Sequence, residues 1–115
     1  MPRRRRDRAE APRAPEHQYE DPEHGELVLR GSMTAGTRRQ YAETRAGRVR
    51  EDGYQRAIEY LFERLAVRWT VGGVDYERQR ELLGRFRMAS AGERSFVLES
   101  LRAHVAECFP ELQAP

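Results

Sequence analysis

Apolar positions along the chain change character near Met33. Nine of the ten aromatic side chains lie beyond it, which locates the candidate core. Tyr54, Ala57, Ile58, Leu61, Phe62, Leu65 and Trp69 follow the i, i+3, i+4, i+7 rule of a single helix face. Asp52 with Gln55 resembles a capping box ahead of them, and Gly72-Gly73 tolerates the left-handed backbone of a helix end. The pattern predicts a helix over 53–71, about 27 Å long at 1.5 Å per residue. Ser90 with Glu93 is a second capping box, opening a helix over 91–109. Its stripe is Val97, Leu98, Leu101, Val105, Cys108 and Phe109, with Pro110 as the stop. Asp75 suits the N-cap of a shorter helix over 76–88 that carries Tyr76, Leu82, Leu83 and Phe86. Thr37 with Gln40 opens a weaker one over 38–50, whose apolar positions are Tyr41, Ala42, Ala46 and Val49. No period-2 run rivals these, so the expected fold is all-α, a small three- to four-helix bundle over 37–112.

Residues 1–36 read as a disordered tail. Pro2, Pro12, Pro15 and Pro22 punctuate it, and up to Ser32 its only apolar cluster is Leu27, Val28 and Leu29. A segment so poor in apolar surface does not offset its own ordering entropy. Met33 follows Arg30-Gly31-Ser32, whose codons in a GC-rich gene read as a ribosome site, so Met33 is a candidate start and the residues before it a candidate extension.

The longest predicted helix carries two apolar surfaces. At 100° per residue its main stripe centres on Leu65, whereas Tyr60, Val67 and Val71 fall on another side, beside Arg64. Phe96 similarly lies almost opposite Leu101 and Val105 on the last helix. Either the weak first helix and the loop around Met88 cover these side chains, or Tyr60, Arg64, Val67, Val71 and Phe96 form a protein interface, where aromatics and arginine are enriched. Size favours the interface. The well-patterned part is only about 60 residues, a length that buries only about 60% of its unfolded surface. The expectation is therefore a homodimer, or a subunit that binds another protein.

Composition narrows the function classes. All 21 basic residues are arginine, against 19 acidic ones; lysine and asparagine are absent and Ile58 is the single isoleucine. That bias is the mark of a GC-rich, bacterial genome and discounts arginine as a functional signal. One cysteine fits a reducing, cytoplasmic setting. No apolar run approaches the roughly 20 residues of a membrane span. Nucleic-acid binding through Arg38, Arg39, Arg45, Arg48 and Arg50 is the alternative to protein binding. The net charge of +2 is small for it, and a helix-turn-helix drawn on the last two helices would turn Glu99 and Glu107 towards the groove.

The sequence offers no catalytic or cofactor motif. His104 and Cys108 stand at i, i+4 on one helix, which brings two metal-ligand types together, but two ligands do not make a zinc site. His17 and His24 fall in the tail, able to join them only if it folds back. No metal and no cofactor is therefore expected. A cysteine near a core stripe has a raised pKa and makes a poor nucleophile. The reading is a small helical regulator, adaptor or accessory subunit rather than an enzyme.

Overall fold

The computed structural model describes residues 15–46 and 50–115, and for 50–52 the backbone alone. Its architecture is mixed α and β, which overturns the all-α bundle. Four antiparallel strands form one sheet in the order β1-β2-β3-β4: β1 Glu16–Asp21, β2 Gly25–Arg30, β3 Ala66–Val71 and β4 Val74–Tyr76. Helices α1 (Ala35–Arg45) and α2 (Arg50–Leu65) are inserted between β2 and β3, and α3 (Gln79–Arg87) and α4 (Ala91–Cys108) follow β4.

The first correction concerns the tail, since residues 16–30 form a hairpin. In β1, half-buried His17, Tyr19 and Asp21 alternate with exposed Glu16, Gln18 and Glu20. This is the period of two that a half-buried strand requires. The inward positions are a histidine and a tyrosine rather than aliphatic residues, so a count of hydropathy passes over them. The turn is chemically specified. Asp21 Oδ2 accepts the backbone N–H groups of Glu23 and His24, at 3.0 and 2.9 Å, an Asx turn. Gly25 then adopts φ +96°, and a Cβ there would overlap the Thr70 carbonyl oxygen of β3. Leu27, Val28 and Leu29 of β2 are 0%, 6% and 0% exposed. They read as one short apolar cluster in a polar tail, and they are a central strand.

The second correction shortens the long helix. It ends at Leu65, and residues 66–71 form β3, in which Trp69 and Val71 are buried. Val67, Thr70 and Val71 are β-branched and stiff at χ1, which suits a pleated surface better than a helix. Trp69 satisfies both periods, being four residues from Leu65 and two from Val71. The apparent second apolar face at Val67 and Val71 is the change of period itself, seen on the wrong wheel. Gly72 and Gly73 close the β3–β4 hairpin with φ +61° and +79°, the two-residue turn whose twist matches a hairpin. They do not end a helix. Opposite β2, β3 carries one extra residue, Val67, between the Val28↔Arg68 and Leu29↔Ala66 pairs.

The remaining helices lie near their expected places. The Ser90 capping box is fully formed, with Glu93 N donating to Ser90 Oγ and Ser90 N to Glu93 Oε1. The helix it opens ends at Cys108 rather than Phe109. α1 starts at Ala35 because Thr34, not Thr37, supplies the cap, and it ends at Arg45 rather than at 50. α3 begins at Gln79. Asp75, the expected cap, belongs to β4 and accepts a hydrogen bond from Thr70 Oγ1 across the hairpin at 2.8 Å. One apolar core joins the sheet to the helices, from Leu27, Leu29 and Trp69 through Leu61, Phe62 and Leu65 to Phe86, Leu101, Val105 and Phe109. Among the described residues no helix is long and apolar enough to cross a membrane.

Candidate metal centre

β1 and α4 bring together residues far apart in sequence. His17 pairs with Leu29 and Tyr19 with Leu27 across the hairpin. Directly opposed residues of an antiparallel pair share a face of the sheet. Leu27 and Leu29 point into the core, so His17 and Tyr19 stand on the same side, at the rim where the sheet meets α4. His104 and Cys108 lie one helical turn apart on that helix and face the strand. The donor atoms of His17, His104 and Cys108 all lie within 4.8 Å of one another. Cys108 Sγ is 3.5 Å from His17 Nε2 and 3.8 Å from His104 Nδ1.

Both imidazoles are held from behind. His104 is fully buried, and its Nε2 lies 2.8 Å from the Arg30 carbonyl oxygen, an atom that can only accept. Nε2 therefore carries the proton and Nδ1 the lone pair, which accepts the Tyr19 hydroxyl at 2.9 Å. Burial, first of all, lowers the His104 pKa, and proximity to His17 adds to this against the Arg30 carbonyl and Glu107, so the ring stays neutral with its lone pair available. His17 Nδ1 sits 3.0 Å from Glu107 Oε1, which assigns a proton to Nδ1; in the neutral ring this leaves the lone pair on Nε2, the nitrogen 3.5 Å from the sulfur. Metal-ligating histidines show this arrangement, with the second ring N–H fixed by a carbonyl or carboxylate and the first nitrogen left to bind. Burial, with smaller contributions from Glu107 and Cys108, pushes the Tyr19 hydroxyl up to about 12.

Cys108, His17 and Glu107 also satisfy the outline of a nucleophile, base and orienting carboxylate, at 3.5 and 3.0 Å. The electrostatics disfavour that use. Burial and then Glu107 raise the thiol pKa, and Cys108 is the last residue of α4, where the helix dipole presents its negative end. Such an environment opposes a bare thiolate and attracts a cation.

The interface residues expected from the sequence do not form one bare strip. Val71 is 5% exposed, while Tyr60 and Phe96 pack partly buried against the core. The Arg64 guanidinium lies 5.1 Å over the Tyr60 ring, Val67 is half-buried in β3, and Phe96 stacks on His24 of the hairpin turn with ring centroids 6.3 Å apart. Among the expected phosphate contacts, Arg38 bonds Glu111 at 3.0 Å and covers Phe109, and Arg45 donates to the Ala114 carbonyl and covers Tyr54. Arg39 is exposed, Arg48 lies outside the described residues, and Arg50 is described by its backbone only. The sequence signal for the centre was half present. His104–Cys108 was visible at i, i+4, and the i, i+2 pair His17–Tyr19 completes it once 16–21 is a strand. Comparison of the chain with protein-family models, curated proteins and solved structures finds no match.

Proposed function

We propose that the protein binds one borderline-soft transition-metal ion, zinc in the first place, through His17 Nε2, His104 Nδ1 and Cys108 Sγ. The observation that carries this is the convergence of two imidazole lone pairs and a sulfur, each ring nitrogen on the far side already held by an acceptor. Tetrahedral zinc, with Zn–S about 2.3 Å and Zn–N about 2.0–2.1 Å, separates sulfur from nitrogen by about 3.6 Å. The two distances here, 3.5 and 3.8 Å, come close to that without an ion. Cysteine with two histidines also suits copper, which the Irving–Williams order ranks above zinc, so availability as well as geometry sets the occupant. The test is zinc retention after gel filtration of the full chain, with the metal and protein both quantified. One zinc per chain is expected, lost in Cys108→Ala and His104→Ala. Glu107→Gln, which weakens the hold on His17 and removes a negative charge beside the three donors, should bind about 10- to 100-fold more weakly. A wild-type chain that retains neither zinc nor copper refutes the proposal; copper retained without zinc reassigns the ion.

A second reading is contact with another protein or a second copy. It is favoured by Met88, 84% exposed, at a shallow apolar concavity of about 630 Å³ also lined by Tyr76 and Gly84. Sedimentation at micromolar concentration, with Met88→Glu as the control, tests it; a monomer at all concentrations removes the homodimer.

A further inference from the structure

Resting on the three-donor reading above, we infer that Tyr19 supplies a fourth, oxygen ligand, so that the ion is enclosed by protein and clasps the outer strand β1 to α4. The placement follows from two periodicities. Residues two apart on a strand point to one side, and residues four apart on a helix lie on one face. His17 and Tyr19 satisfy the first and His104 and Cys108 the second, so each element offers two donors to the space between them.

The phenol already sits beside one of the three donors. Tyr19 Oη lies 2.9 Å from His104 Nδ1, on the lone pair an ion would take. Oxygen and nitrogen ligands on a tetrahedral zinc ion are about 3.3 Å apart, so a small displacement converts the hydrogen-bonded pair into two ligands. When the ion takes the Nδ1 lone pair, the half-buried hydroxyl loses its acceptor. An unpartnered buried hydroxyl is costly, and bonding to the ion while its proton passes to solvent satisfies it again. The aromatic ring needs no new path, because it already stands edge-on to His104 with centroids 5.7 Å apart.

A closed sphere and an open one behave differently towards small anions. A catalytic zinc site keeps a water-occupied position that azide can enter, whereas a structural site does not. The experiment loads the full-length chain with Co²⁺ and follows its visible ligand-field bands during azide titration. The wild-type bands should remain unchanged. Tyr19→Phe, which removes one oxygen and leaves the ring, should bind Co²⁺ at least about tenfold more weakly and shift its bands when azide is added. Azide-sensitive bands in the wild type would show that water holds the fourth position and overturn the assignment of Tyr19, leaving the three-donor site intact. That measurement needs no variant. A wild type that takes up no Co²⁺ overturns the three-donor site itself, and with it the clasp.

Discussion

Deleting residues 1–32, so that the chain begins at Met33, should abolish the fold. The cut removes β1 and β2, and with them Leu27, Val28 and Leu29, which are 0%, 6% and 0% exposed. Full burial of each such side chain is worth about 1.5–3 kcal/mol. Two buried donors lose their acceptors as well, since His104 Nε2 donates to the Arg30 carbonyl and Trp69 Nε1 to the His24 carbonyl. An orphaned buried donor costs about 1–3 kcal/mol. Together these losses, about 6–15 kcal/mol, are as large as the 5–15 kcal/mol by which a domain is ordinarily stable. Circular dichroism with urea titration of the Met33–Pro115 fragment beside the full chain is the assay. The expected result is a fragment with reduced ellipticity, no cooperative transition and aggregation at micromolar concentration. A fragment with full helix content and a sigmoidal transition at the full chain's midpoint would refute the reasoning that β2 is part of the core.

Other outcomes follow from single side chains. In the metal-free chain His104 is neutral in the fold with a pKa below the ordinary 6.5, so the unfolded chain binds its proton first as the pH drops. Stability is therefore unaffected above about pH 6.5, falls as the pH is lowered through it, and levels off once the folded-state pKa is passed. His104→Gln should flatten that slope in urea titrations between about pH 5 and 7, and an unchanged slope would assign it to other groups. Gly25→Ala combines positive φ with overlap on the Thr70 carbonyl and should cost at least about 1–3 kcal/mol, read as a lowered urea midpoint; a neutral result would mean that the β1–β2 turn is not as described. Ser90→Ala breaks the capping box and should cost about 1 kcal/mol by the same titration, with Ser90→Asp restoring most of it.

What was legible in the sequence depended on how local its cause was. α4 could be read almost to the residue, because Ser90, Glu93 and an aliphatic stripe are local signals that no distant contact contradicts. β3 is ambiguous in sequence because Trp69 fits a helical and a strand period equally; Val67 and Val71, out of phase with Leu65, mark the change of period but fit a covered second helix face or an interface as well. β1 was hidden for a different reason. Its inward residues are His17 and Tyr19, buried by pairing and by α4 rather than by their own hydropathy, so only the tertiary structure makes them inward at all. The candidate centre shares that difficulty. Its helical half, His104 and Cys108, is a local pattern, and its strand half has meaning only once the hairpin is known to cross that helix.

The insertion of α1 and α2 between β2 and β3 has a bearing on biosynthesis. The hairpin of residues 16–30 leaves the ribosome before the strand that pairs with its open β2 edge, 66–71, and α4, 91–108, which packs against both of its strands, is translated later still. At 5–20 residues per second, the nascent hairpin waits on the order of seconds with Leu27 and Leu29 uncovered. During that interval the polar outer positions of β1, Glu16, Gln18 and Glu20, are its defence against pairing with a neighbouring nascent chain.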